Sequence, residues 1–340
     1  MLAPAFRSLT LAALTVLAAL EGGAWVAGER PWSPAVASFS VSPADWVAGD
    51  ARQGWVLRPG TFEFAYPGGH QAVATHTEFG RVTPSGKGRV IELHGGSFAY
   101  GLGLDDEQSL GWRLQERLPD FDVQSRAVPG HGPLQAWTAL EQHLEQGTAP
   151  YAMVVTYVEF HDERVTWNRS WRRAMSGNSF AGSAGASMPA VRNRSGWPRV
   201  EPVEPRLRPL RGSPWSARIA ARDRLLDDEE EHRLQSAAVT RNLLVHLHHR
   251  AKENGTYVLV VGLSDDASTR STLDHLADQG VLTLDAGLQW RDPRNQLWPH
   301  DTHPNAAAAE AWARTISDVV LQRPAADAPA GTTRRPGEAE

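Results

Sequence analysis

The chain of 340 residues has no cysteine. Disulfides, thiolate metal sites, a cysteine nucleophile and a lipid-modified cysteine are therefore excluded. The same absence leaves the redox compartment open, because a thiol-free chain is equally safe in reducing and oxidising surroundings. Charge of one sign is also scarce: the net charge is −5 with both signs scattered, so no basic stripe marks a nucleic-acid partner. Long apolar runs are nearly absent, with one exception. Behind Arg7 lies Leu9–Leu20, interrupted by Glu21, Gly22 and Gly23 and extended by AWVAG to Gly28. A basic residue before a short apolar run is the pattern of an export signal, and the extended stretch approaches the length that crosses a bilayer. No small-x-small cleavage site stands out, which favours an uncleaved anchor over a removed signal peptide for residues 1–28. The competing reading is a buried helix, but the run lacks the polar alternation of one.

Past this segment, residues 29–88 are rich in Pro, Gly, Trp and Thr, with short β-like pieces at Thr61–Ala65 and Gln71–Thr75. They read as a leader that adds edge strands to a domain. From Arg89 the pattern becomes regular. RVIELH, FDVQSRAV, YAMVVTYVEF, TYVLVVGLS and VLTLDAG are strand candidates, separated by helical stretches at Asp105–Leu118, Leu134–Leu144, Ala267–Gln279 and Ala306–Leu321. Apolar strands alternating with helices predict a parallel sheet of about five strands, covered on both faces in a three-layer α/β/α sandwich of flavodoxin-like type. This domain spans 89–322. The polar, Gly/Ser/Pro-rich stretch 166–213 reads as a long loop or lid, with helices resuming at Ser216–Asp227 and Glu230–Asn254. The tail 323–340 is low in complexity and reads as disordered.

In such sheets, ligands bind at the carboxyl ends of the strands. Two segments there can carry chemistry. His94-Gly95-Gly96-Ser97 ends the first apolar strand and precedes a helix. The glycines allow close approach, and the turn leaves amides free to stabilise negative charge; Ser97 could equally be a helix cap. Asp301-Thr302-His303-Pro304-Asn305 precedes the last helix. A serine needs an adjacent base and the base an orienting acceptor, and this segment holds both; either Asp or Asn could instead cap the helix. Both segments fall at one edge of the predicted sheet, and their coincidence favours the chemical reading.

GGSFAYGLGLDDEQSLGWRLQERLPDFDVQSRAVPGHGPLQ resembles the first two blocks of the SGNH/GDSL hydrolases, and DTHPNAAAAEAWA the last block. The leader, with Gly54-Trp55 and Pro59-Gly60, resembles that of N-terminally anchored bacterial members. The resemblance implies a serine ester hydrolase without cofactor or metal, with Ser97 as nucleophile, His303 as base and Asp301 orienting it. The oxyanion would be held by the amide of Ser97, by Ala127 or Gly130 of the second block, and by a side chain of the third. Where the family has Gly in the second block this chain has Ala127, and where it has Asn in the third this chain has His161. A neutral imidazole can donate one N–H to an oxyanion; it could also be a ligand, or simply bond Asp162. Many members place the aspartate three residues before the histidine, where this chain has His300.

Three look-alikes carry less. Ala181–Gly185 (AGSAG) follows no strand, Ser85–Gly88 lacks the upstream glycine of a phosphate loop, and His246, His248 and His249 want a third ligand at metal spacing. The expected protein is thus an extracytoplasmic esterase of the cell envelope or secreted, acting on a small acyl ester or acylated glycan. An O-acyltransferase using the same triad, and a non-catalytic glycan-binding domain, are the alternatives.

Overall fold

The computed structural model describes residues 3–32, 39–175, 188–204 and 210–322. In chain order the elements are α1 (Ala3–Val26), β1 (Ser40–Ser42), β2 (Val47–Asp50), β3 (Gly54–Leu57), β4 (Gly60–Ala65), β5 (Gln71–Thr77), β6 (Gly80–Arg81), β7 (Arg89–His94), α2 (Ser97–Tyr100), α3 (Leu110–Arg117) and β8 (Phe121–Ser125). There follow α4 (Pro133–Gln146), β9 (Ala152–Tyr157), α5 (His161–Thr166), α6 (Arg169–Met175), β10 (Met188–Arg194), β11 (Trp197–Val203), α7 (Ala217–Leu234), α8 (Ser236–Glu253), β12 (Tyr257–Ser264), α9 (Ala267–Asp278), β13 (Leu282–Leu288) and α10 (Ala306–Leu321).

The expected parallel core is present as β8-β7-β9-β12-β13. Its strands alternate between two dry faces. In β9, Ala152 and Val154 enter one apolar cluster while Met153, Val155 and Tyr157 enter another. Helices α3 and α10 cover the first face through Leu110, Leu114, Trp312 and Ile316; α4, α8 and α9 cover the second through Leu140, Leu244, Leu247 and Leu276. The architecture is a three-layer α/β/α sandwich.

The sheet is larger than the sequence suggested. Beyond β8 it continues antiparallel through β6, β5, β4 and β1, giving nine strands in all. In β4 only Phe62 and Phe64 are buried, the alternation of a sheet with one wet face. The bridge to the parallel core is short, Arg81 opposite Ser125. Side chains reinforce it: Arg81, 2% exposed, pairs with Asp106 at 3.0 Å and donates to the carbonyls of Tyr100, Gly101 and Leu104.

Residues 166–213, expected as a loop or lid, hold α6 and a hairpin of β10 and β11 in full register. Val191 of the hairpin packs with Val239 and Leu243 of α8. The near-elbow at 181–185 and the tail 323–340 lie outside the described residues. Helix α1 presents an apolar stretch, Leu9–Val26, with mean hydropathy 1.7 and none of it buried. Glu21 within it accepts hydrogen bonds from the Ser216 hydroxyl and the Ala217 amide, both 2.6 Å, and so caps the N-terminus of α7.

Candidate active site

Ser97 opens α2 directly after β7. Its capping reading does not hold, because the cap position is Gly96 and no side chain bonds the helix start. Instead the Ser97 hydroxyl lies 3.0 Å from Nε2 of His303. The His303 Nδ1 lies 2.5 Å from Oδ1 of Asp301, which also accepts the His303 amide at 2.7 Å. A backbone ladder fixes this turn: Leu297 donates to the His303 carbonyl and Asp301 to the Leu297 carbonyl. Asn305, not Asp301, caps α10, accepting the Ala308 amide. His300, at the other spacing, faces away; its Nδ1 bonds the Pro67 carbonyl and its ring stacks on His70. The sequence-predicted Ser97, His303 and Asp301 thus meet in one hydrogen-bonded row, although 206 residues separate the serine from the histidine.

Both glycines before the serine are required by proximity. A Cβ on Gly95 would meet Oγ1 of Thr156 at 1.9 Å, and one on Gly96 would meet Nη1 of Arg164 at 2.5 Å and the His131 carbonyl at 2.9 Å. The second block lies alongside, since the Val128 amide donates to the Gly95 carbonyl. Among the described residues, neither the Ser97 nor the Ala127 amide has a hydrogen-bond acceptor, so both are available to a ligand. Gly130 shapes the following turn with φ +87.

His161, the first residue of α5, follows β9. Its Nε2 would stand 3.1 Å from a Cβ on Gly96, one residue from Ser97. Burial holds the ring well below the usual histidine range, the Arg164 cation adds to this, and the Thr156 carbonyl opposes it. The ring is therefore neutral and carries one N–H. Buried Nδ1 makes no hydrogen bond of good geometry among the described residues, and the ring proton is shared between the pull of the Thr156 carbonyl and that of an acceptor in the site. No hydrogen bond joins His161 to Asp162 among the described residues; Asp162 accepts from the Tyr157 hydroxyl at 3.0 Å.

Sequence reasoning missed the support that the leader gives. Trp55, 1% exposed, donates its indole N–H to the Pro129 carbonyl, and its own carbonyl meets Nε2 of His131 at 2.9 Å. Three residues beyond Ser97, Tyr100 meets His76 of β5 at 2.7 Å. Around His303, Phe98 stacks with Trp312 and meets Trp290 edge-on at 5.2 Å, giving the site an apolar wall. Of the histidines at 246, 248 and 249, His246 lies on Trp197 at 4.5 Å, a surface packing contact.

No family model and no curated protein matches this chain. Solved structures show distant likeness. A Bacillus subtilis protein is 12% identical with a TM-score of 0.38, covering 72% of this chain, which in turn spans 59% of that one. A GDSL-like lipase from Parabacteroides merdae is 11% identical with a TM-score of 0.37, covering 70% and 98%. An acetyl-xylooligosaccharide esterase from Geobacillus stearothermophilus is 12% identical with a TM-score of 0.35, covering 68% and 93%. Likeness at this level carries no conclusion about activity, which is drawn from the site alone.

Proposed function

We propose that the protein is a serine esterase that hydrolyses acyl esters, O-acetyl groups on envelope glycan among them, through an acyl-enzyme on Ser97. The observation that carries this reading is the row Ser97–His303–Asp301, with a hydroxyl 3.0 Å from a ring nitrogen whose partner nitrogen is pinned to a carboxylate. In the first half-reaction the Ser97 oxygen bonds the ester carbon while its proton passes to Nε2 of His303. The charge on the former carbonyl oxygen is met by the free amides of Ser97 and Ala127 and by the Nε2–H of His161. The C–O bond of the alcohol then breaks, and the departing oxygen takes the proton from His303. In the second, His303 removes a proton from water as the water oxygen bonds the acyl carbon; the bond from that carbon to the Ser97 oxygen then breaks, and His303 returns the proton to Ser97 as the acid departs. Asp301 orients the ring and stabilises its charged form. The N-terminal helix, long and apolar enough to cross a bilayer, supports an extracytoplasmic location at the membrane.

Fluorophosphonate labelling of the full chain, beside turnover of 4-nitrophenyl acetate, tests the reading. Labelling should vanish in Ser97→Ala, and Asp301→Asn should lower kcat on the order of 10³–10⁴-fold. His161→Ala should cost roughly 10²-fold in kcat, the worth of one oxyanion donor, while His161→Asn should retain most activity. Labelling that persists without Ser97 would overturn the triad, and unchanged turnover in a folded His161→Ala would remove that residue from the oxyanion site.

A further inference from the structure

Arg164 is placed as a receptor for an anion and is not used by the reaction just described. The arginines of the neighbouring α6 have acidic partners: Arg169 and Arg173 pair with Asp223 and Asp227, and Arg172 with Glu230 of α7. The carboxylates of the described residues make no such bond to Arg164; Glu163 acts on it only through its field. Its guanidinium lies 4.6 Å from the ring centre of Phe160 and 4.6 Å from that of Trp171. One N–H, on Nη1, is spent on the His131 carbonyl at 3.0 Å, and Nε is buried without a partner. The head group is thus held by two aromatic faces and one carbonyl, a costly arrangement for a cation with no anion beside it.

Its position decides what that anion is. The same point above Gly96 that lies 2.5 Å from Nη1 lies 3.1 Å from Nε2 of His161, so the cation stands within one residue of Ser97, beside the ring assigned above to the oxyanion. The anchoring is continuous with the leader, because Trp171 meets Trp167 and Trp167 meets Trp55 edge-on. A fixed planar donor at that spot matches a carboxylate or a similar oxyanion in the substrate, close to the scissile bond.

We infer that Arg164 selects esters of acidic glycans, binding a carboxylate of the sugar that carries the acyl group. The inference rests on the esterase reading of Ser97. It is tested by kcat/KM on an acetylated oligouronide and on an acetylated neutral oligosaccharide of equal length, with fluorophosphonate labelling of the same samples. The wild type should favour the acidic substrate by about tenfold or more, chiefly through KM, as one charge-assisted hydrogen bond provides. Raising the salt from low to physiological concentration should reduce that preference. Arg164→Gln should erase it and Arg164→Lys restore part of it, with thermal midpoints reporting on folding. A labelled wild type that shows no preference, or a folded Arg164→Gln that slows both substrates equally, overturns the inference and leaves the esterase reading standing. A wild type that fails to label overturns the esterase reading instead. Should Arg164→Gln not fold, the wild-type preference and its salt dependence still decide.

Discussion

At the scale of single residues, the chemical row was legible and its surroundings were not. Ser97, Asp301 and His303 lie in short local patterns, each tied to a strand end or helix start that hydropathy reveals. Arg164 sits in the third block, EFHDERV, and nothing in its neighbours along the chain announces that its side chain leans on Gly96. That approach of α5 to the turn after β7 is a tertiary contact, which spacing does not encode. Asp162 offers a sharper test of the same region. It is 8% exposed, and burial raises its carboxyl to about 6 against hydrogen bonds from Thr240 and Tyr157. A carboxyl raised in the folded state is ionised more readily in the unfolded one, so it contributes stability at low pH and loses it as pH rises from about 4 to 6. Asp162→Asn should therefore stabilise the protein at pH 8 by about 2 kcal/mol, an advantage that disappears below pH 4. Urea unfolding at the two pH values measures it.

At the scale of elements, the five parallel strands and their covering helices were readable because β9 and β12 are apolar on both faces and the strand candidates alternate with helical stretches. The hairpin of β10 and β11 was hidden by Pro189, Pro198 and Pro202, residues that argue against strands. Its turn was the available signal: Ser195-Gly196, both with positive φ, is the Ser-Gly pair of a tight hairpin. The antiparallel extension depends on Arg81, whose donors serve Asp106 and three carbonyls around α2. Arg81→Met would leave these groups buried and unpaired, at a cost of about 3–5 kcal/mol. Equilibrium denaturation reads the loss, and labelling of Ser97 should slow as the end of α2 loosens. A folded variant of unchanged stability would show that the short bridge at Ser125 suffices to join the two halves of the sheet.

At the scale of the molecule, the sequence pattern placed the catalytic domain at 89–322, and the structure shows that the site leans on residues before it. Trp55 supports the second block, His76 supports Tyr100, and β4 and β5 shield the apolar cluster through Phe62, Phe64, Ala72 and Ala74. A protein begun at Arg89 would carry β8 as a bare edge beside an uncovered apolar face, the arrangement that templates aggregation. It should be recovered insoluble or without near-ultraviolet circular dichroism, whereas one begun at Phe39 should be soluble and label at Ser97. The hydrogen bonds of Glu21 have a different consequence, for processing. A peptidase cutting before residue 21 removes hydrocarbon-length helix and leaves the cap of α7 in place. One cutting after it uncovers the amides of Ala217 and Arg218 in the same event. Where the cut falls thus decides whether the start of α7 keeps its carboxylate.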